Sequence, residues 1–545
     1  MSSVKNHAFY PELLVPTNDL IVPISQSKLS RKQAFSRTQL CWWFYLSRAV
    51  TGDEKEYKLV RTRFLVPMTN DLNGQLERIE DGYVLTKGST IEELGQYSQE
   101  VGRRILEDYG SNLKVIGSTS TTPSIEDITQ INGVTLPGFV KGHGHDHESV
   151  LIGVARDLPL TAWLDKSVNL FTGFMHEQQE ELAELFGASP YFIAYLKARV
   201  DDVSFGITTA VTHHCNFNKY HVDELVEANE VVGTRLFIAV GSQDRNYDNR
   251  ILDSPEEAVE RLDKYFERHK DNPRVTIVPG PDQFFSNGPE LLKALRKWAT
   301  DHQTFLHIHS SEEPATTKWF TETYGMTPVQ YGRSIGLFEP KGSVLLAHQV
   351  NNTPDDLEIL AESRAMVVHN PLANTILGSG MPPLLEMIEK DIPVMVSTDG
   401  SGSADSQNML SAARLASQYQ KAFHANAKVM DSEDVLRRVT CIPAKQLGLN
   451  AGTLEPGKDA DLVVVDLSRP NLTPTRLETV VENLIWAAAG NEVMHVLANG
   501  KVLVESYEFQ TVDLGKVLGD IQHLADLFET YKDSAQEIKG TGVHT

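Results

Sequence analysis

From about Lys58 the apolar positions of the chain come in short runs that suit strands rather than long helical stripes. Leu59 to Pro67 is strand-like, Asp81-Gly82 reads as a turn, and Tyr83-Val84-Leu85-Thr86 reads as a second strand. Ile91 to Tyr109 is predicted to be a helical interval, followed by strands at Leu113-Lys114-Val115-Ile116 and Ile131 to Leu136. A new rhythm then begins. Eight apolar runs each end in polar residues: Leu136–His145, Ile207–His214, Leu236–Gly241, Val275–Gly280, Thr304–His309, Val344–His348, Ala365–Asn370 and Pro393–Asp399. Helical patterns separate most of them. Glu290 to His302 puts Leu291, Leu292, Leu295, Trp298 and Ala299 on one face, and Thr353-Pro354-Asp355-Asp356 has the N-cap, N1 proline and first-turn acids that open a helix through Glu362.

Strand–helix alternation repeated eight times predicts an α/β fold, a (β/α)8 TIM barrel with its chemistry at the C-terminal strand ends. Strand texture returns at Asp461–Asp466. Val496 to Val504 reads as a hairpin in which Asn499-Gly500 supplies the positive φ angles of a type I′ turn. The expected organisation is an N-terminal extension over 1–57, a small β-sandwich-like domain assembled from 58–134 and 450–505, the barrel over 135–449, and a C-terminal amphipathic helix within 506–545. That helix carries Leu514, Val517, Leu518, Ile521, Leu524, Ala525 and Phe528 at helical spacing and is expected to dock on the body or on a subunit partner.

Composition narrows the class. The chain has 545 residues, 41% of them hydrophobic and 23% charged, as in soluble globular proteins. A formal charge of -23 argues against a nucleic-acid partner. Cys41, Cys215 and Cys441 are too few and too scattered for a disulfide framework or a thiolate zinc site. The greasiest run, Leu40 to Leu46, is far short of the ~20 residues a bilayer span needs. The N-terminus lacks a basic region leading into an apolar core, so no signal peptide is expected. These features predict a cytoplasmic protein with no membrane partner.

The candidate chemistry sits at the ends of the runs. After Pro137-Gly138-Phe139-Val140 come His143, His145 and His147 at alternate positions, and on a strand His143 and His145 can aim imidazoles at one point. His309 ends the fifth run with Glu312 just beyond it, His348 ends the sixth, and Asp399 follows the eighth. A metal-binding imidazole and a proton-carrying carboxylate at one mouth suit metal-assisted hydrolysis. His307, one layer deeper, could equally be a core histidine. His213-His214 could face a substrate or cap the barrel, and Asp146, His147 and Glu148 could shape the pocket or hydrogen-bond the neighbouring histidines. Gly452 to Asp459 nearly fits a phosphate-binding loop, but Asp459 stands where a Ser or Thr is required.

Taken together these stretches resemble the amidohydrolase superfamily, in its branch of metal-dependent deaminases and chlorohydrolases. The likeness rests on Pro137–Val140 with His143-Gly144-His145, His309-Ser310-Ser311-Glu312, Leu346-Ala347-His348, His369 to Asn374, Ser397 to Ser401, and the closing phrase Gly452 to Val463. It covers about residues 58–505. The resemblance implies metal ligands His143, His145, His309 and Asp399, proton relay by Glu312, and positioning of water or electrophile by His348, with Asp399 also accepting a proton. Binuclear relatives carry a lysine at the fourth strand end; here Val275 to Gln283 has none, so one ion is expected, Zn2+ first and Fe2+ as the alternative. The implied activity is hydrolytic deamination of an aminated purine, pyrimidine, pterin or triazine, with Gln283, His213 and Asn374 as substrate-binding candidates. Chlorohydrolase or ring-amide hydrolysis, and an inactive barrel scaffold, are the alternatives. A homodimer is expected from the resemblance alone.

Overall fold

The computed structural model describes Tyr45 and residues 55–540, the last seven by backbone alone. Of the expected N-terminal extension over 1–57, which includes the apolar run Leu40–Leu46, all but Tyr45 and Lys55 to Tyr57 lies outside the described residues, and Tyr57 already begins the first strand of the small sheet. The Tyr45 ring is buried and its hydroxyl donates to Asp520 Oδ2 at 2.6 Å.

Eight parallel strands build the barrel in two sheets of four. The first sheet runs through β6 (Phe139–Lys141), β7 (Ile207–His214), β8 (Arg235–Ser242) and β9 (Val275–Pro281). The second runs through β10 (Leu306–Ser310), β11 (Val344–His348), β12 (Met366–His369) and β13 (Val394–Val396). Each is almost wholly buried on both faces, as parallel strands under a helical layer must be. One seam, between β9 and β10, is held by the parallel bridge Gln283–His309 and by His309 N–H donating to Asp282 O at 3.1 Å. The other closes by a different device. Val396 N–H donates to Arg438 O and Val140 N–H to Val439 O, each at 3.0 Å, so that short backbone stretch fills the gap between last and first strands. At the top of this seam Ser397 Oγ donates to His143 O at 2.9 Å.

A separate nine-stranded sheet takes its strands from both sides of the barrel. They are β1 (Tyr57–Leu65), β2 (Ile79–Lys87), β3 (Thr90–Gln96), β4 (Leu113–Val115), β5 (Ile131–Pro137), β14 (Leu462–Asp466), β15 (Val493–Ala498), β16 (Lys501–Glu505) and β17 (Glu508–Phe509). β5 and β14 pair antiparallel, Val463 opposite Leu136, and thereby join the two halves. The β15–β16 hairpin turns at Asn499 and Gly500 with φ of 51° and 74°, as the Asn-Gly pair requires.

Three local expectations need correction. The first apolar run is not one strand: Leu136 and Pro137 finish β5, Phe139 begins β6, and Gly138 is the corner. A Cβ on Gly138 would lie 2.3 Å from Thr208 Oγ1, so only glycine lets the chain change sheets there. The supposed helix from Ile91 is a strand up to Gln96, paired antiparallel with β2; the helix is Gln99–Tyr109, capped by Ser98. A free sheet edge outweighed the local helical pattern. Asp81-Gly82 lies within β2 instead of at a turn, with Asp81 at φ 49° and its carboxylate gripped by Arg61 at 2.8 and 2.9 Å.

The helix Pro289–Asp301 and the Thr353-capped helix Pro354–Ser363 stand where the patterns put them, the latter with a full capping box to Asp356. The C-terminal helix Leu514–Gly540 buries Val517, Ile521, Leu524 and Phe528 against the body, Phe528 meeting Phe171 edge-on at 5.1 Å. Among the described residues no helix is long and apolar enough to cross a membrane.

Candidate metal centre and active site

At the C-terminal end of the barrel, His143 and His145 leave β6, His309 ends β10, His348 ends β11 and Asp399 follows β13. Their side chains meet in one buried cluster. His145 Nε2 lies 3.2 Å from His309 Nε2, and Asp399 Oδ1 lies 3.3 Å from His143 Nε2 and 3.7 Å from His145 Nε2. His143, His145 and Asp399 form one group whose ligand atoms fall within 4.8 Å of one another, and His143, His309 and His348 form another.

Hydrogen bonds behind the rings decide which nitrogen faces inward. His145 Nδ1 donates to His213 O at 3.0 Å and His309 Nδ1 to Asp282 O at 2.7 Å. His307 Nδ1 donates to Leu345 O at 3.0 Å, which leaves its Nε2 as an acceptor, 2.8 Å from His143 Nδ1. In all three ligand candidates Nδ1 therefore carries the proton and Nε2 presents a lone pair to the centre. His143 Nε2 is buried without any hydrogen-bond partner, an acceptor in want of a cation. Burial holds His143 and His145 well below the usual imidazole range, so both are neutral, the form that binds metals. The donor set thus fits one divalent ion held by His143, His145, His309 and Asp399.

His348 is built the other way round. Asn374 Nδ2 at 3.0 Å and Asn370 Nδ2 at 3.4 Å donate to its Nδ1, so its Nε2 carries the proton, 3.5 Å from Glu312 Oε2 and 3.7 Å from Asp399 Oδ2. Burial, the nearby Asp399 and Glu313 push the Glu312 carboxyl well above the usual carboxylate range. Both His348 and Asp399 have positive φ, 77° and 80°, a strained backbone at the two residues that turn from strand into site.

The chamber under this cluster has a volume of about 40 Å³, walled by Trp163, Tyr247, Asp282, Gln283, Glu148 and Ser403 among others. Gln283 is thus at the chamber wall. His213 and Asn374 are not among the lining residues: His213 packs against the ligand rings, 4.6 Å from His309, and Asn374 holds His348 from behind. Trp163, Tyr247 and Ser403 carried no signal in the sequence, since each comes from a loop or helix that only the fold brings to the mouth.

The Asp146-His147-Glu148 stretch divides three ways. Asp146 accepts from Arg199 at 2.6 Å and from Thr212 at 3.0 Å. Arg199 also pairs with Asp202 at 2.7 Å, Asp202 with Lys141 at 2.7 Å, and Lys141 donates to Gln407, which donates to Asp399 O at 3.1 Å. This fully buried chain ties the first strand end to the eighth. His147 is buried at the chamber wall with both ring nitrogens unpartnered. Glu148 accepts from Ser403 N–H and Oγ, and burial, with Asp399 nearby, raises its carboxyl to about 8.

Residues 134–503 match the Amidohydrolase family. The chain belongs to that family. The amidohydrolase is 31% identical over 408 residues to a 5-methylthioadenosine/S-adenosylhomocysteine deaminase of Pyrococcus furiosus, covering 74% of this chain and 92% of the relative. Among solved structures it resembles a zinc-bound adenosine deaminase of Xanthomonas campestris, with a TM-score of 0.72, 22% identity, and 87% of this chain and 98% of that one covered. It also resembles a zinc complex of an atrazine chlorohydrolase of Arthrobacter aurescens, with a TM-score of 0.70, 22% identity, and 86% and 100% covered. These two likenesses carry the barrel fold.

Proposed function

We propose that this amidohydrolase is a hydrolytic deaminase of an aminated heterocycle, with one zinc ion held by the Nε2 atoms of His143, His145 and His309 and by Asp399. The observation that carries this reading is the opposed tautomer pattern: three inward lone pairs beside one carboxylate, and a fourth imidazole, His348, that points a proton inward. When bound, the cation supplies Lewis acidity that lowers the pKa of water towards ~7. Asp399 Oδ2, near His348, accepts the proton that water gives up. His348 Nε2–H donates to the oxygen that adds to the ring, orienting it and stabilising its growing charge. Glu312, kept protonated by burial, would deliver its proton to a ring nitrogen. Asp399 would then hand the proton taken from water to the departing amine, and Glu312 would regain one from the added hydroxyl as the carbonyl forms. Ammonia thus leaves and both carboxyl groups return to their starting state. Trp163 and Leu160 exclude bulk water at the chamber wall.

The deaminase name of the Pyrococcus relative, at 31% identity over most of both chains, supports the reaction type. The test is ammonia release from aminated purines, pyrimidines, pterins and triazines, with Asp399→Asn as the blank and metal content measured in parallel. About one equivalent of zinc per chain and release well above the blank are expected. A fully folded protein without metal, in which added zinc restores no activity, would refute the proposal.

A further inference from the structure

A cavity of about 600 Å³ lies at the end of the barrel away from the metal centre. β10 runs from this cavity, where Phe305 precedes it, to His309 at the centre. Ser343 before β11, Met366 at the start of β12 and Thr276 near the start of β9 mark the same N-terminal end. Phe237, Phe305, Met366 and Leu447 belong to the apolar cluster that fills the barrel interior, so the floor of the cavity is the last layer of that core. The volume falls in the ~300–1,000 Å³ range of small-molecule sites.

Arg296 gives the cavity its chemistry. It lies in the helix Pro289–Asp301, lines the cavity and is 5% exposed. Its Nη1 donates to Ser343 O at 2.6 Å, and Nη2 and Nε reach Thr300 Oγ1 at 3.1 and 3.4 Å. A guanidinium has five N–H groups, so two remain unspent, one on Nη1 and one on Nη2. Both acceptors are neutral. The other buried arginines among the described residues each hold a carboxylate: Arg199 holds Asp146 and Asp202, Arg235 holds Asp459, and Arg438 holds Asp434. Arg296 alone has none, and burial pulls its guanidinium down to about 10 with no anion to raise it. An uncompensated buried cation is costly, and an anion paired with it offsets that cost. The rest of the lining agrees. It holds no Asp or Glu and no second Lys or Arg, in a chain of formal charge -23. An entering anion meets no carboxylate there, and one guanidinium balances one negative charge.

We propose that this cavity is a binding site for a small organic monocarboxylate, its carboxylate on Arg296 and its apolar body on the floor of Phe237, Phe305 and Met366. The site is separate from the metal chamber and does not depend on the reaction assigned there. The competing role for Arg296 is a purely structural tie between its helix and the loop before β11, since it already holds Ser343 O. Thr276→Trp separates the two roles. Thr276 is exposed on β9 and lines the cavity, and the hydrogen bonds of Arg296 do not involve it. A tryptophan there suits a strand and fills the cavity while leaving the Ser343 contact in place.

Calorimetric titration of the zinc-loaded full chain with 1-naphthoate, 1-naphthalenemethanol and 1-naphthyl phosphate tests the site, with zinc content measured in every variant. Naphthoate is expected to bind once per chain with a Kd of about 1 mM or tighter, at least tenfold tighter than the neutral alcohol or the phosphate dianion. Arg296→Gln and Thr276→Trp should each weaken it tenfold or more with zinc content unchanged. No binding of naphthoate, an alcohol that binds as tightly, or binding that survives either substitution in a folded protein overturns the proposal. Loss of zinc together with binding would place the carboxylate on the metal and overturns it too. A phosphate that binds as well as naphthoate overturns the carboxylate assignment. If Arg296→Gln fails to fold, Thr276→Trp decides alone: lost binding supports the cavity, and unchanged binding excludes it.

Discussion

His307 Nε2 lies 2.8 Å from His143 Nδ1, and the proton between them belongs to His143 because His307 spends its own on Leu345 O. A buried strand carbonyl thus sets, through two rings, which nitrogen of His143 faces the centre. Without that acceptor His143 is free to present the wrong tautomer. His307→Phe is expected to weaken zinc binding about 10–100-fold, the usual cost of losing such a supporting contact. His307→Gln, whose amide oxygen can accept the same proton, should recover part of it. Chelator competition with zinc read by atomic absorption measures both, and unchanged affinity in the Phe variant would exclude the relay.

Glu312→Gln separates proton transfer from metal holding. Glu312 lies beside His348 and Asp399 but outside the proposed ligand set, so the variant should keep its zinc and lose about 10²–10⁴-fold in kcat. Loss of zinc along with activity would instead make Glu312 part of the metal's support.

Arg199 is fully buried between Asp146 and Asp202. Arg199→Met leaves Asp146 without its cation and Asp202 with Lys141 alone, and breaking a buried pair in this way costs about 3–5 kcal/mol. Urea unfolding should show that loss, with zinc affinity falling as well because the chain of contacts ends at Asp399 O. A stability change under about 1 kcal/mol would mean that Lys141 alone neutralises the cluster.

Gly400 allows Glu148 to close on the eighth strand end. A Cβ on Gly400 would sit 2.1 Å from Glu148 Oε2 and 3.1 Å from His145 Cβ. Gly400→Ala must push Glu148 off Ser403 or move Asp399, at about 1–3 kcal/mol of overpacking strain. A pairing of Gly400→Ala with Glu148→Ala should restore most of the thermal stability in a double-mutant cycle.

The pH dependence of stability has a specific contributor in His495. Burial lowers this imidazole to about 4, and its Nδ1 accepts from Ser506 N–H at 3.2 Å. An unfolded chain takes up that proton near pH ~6.5. Between those values the unfolded state binds more protons than the folded one, so the contribution is fully present above pH ~6.5 and is lost as pH falls towards 4, at about 1.4 kcal/mol per pH unit. His495→Asn, which keeps an acceptor but cannot titrate, should flatten the stability-versus-pH slope in that window by about one proton. An unchanged slope would show that His495 does not contribute.

Much of this architecture was legible in one dimension because its signals are local. Strand ends marked by His143, His309, His348 and Asp399 repeat with the barrel's own period, and a capping box such as Thr353 to Asp356 is read from four residues. The errors fell where two sheets compete for one stretch. Leu136 and Phe139 belong to one apolar run, yet they sit in different sheets, because Thr208 on the neighbouring strand leaves room only for a glycine corner between them. Ile91 reads as helical until β2 offers its edge.

By itself, then, the sequence determined the barrel's rhythm, the residue types at its strand ends and the absence of a fourth-strand lysine, since all three depend on spacing and side-chain chemistry alone. Tertiary structure decided the rest. Which nitrogen each histidine presents, whether Asn374 faces the chamber or supports His348, and the gathering of Arg296 and Ser343 around one cavity all depend on contacts between distant segments. His143-Gly144-His145 has two imidazoles of ambiguous tautomer until Leu345 and His213 supply the carbonyls and buried packing drives off the water that would let them exchange.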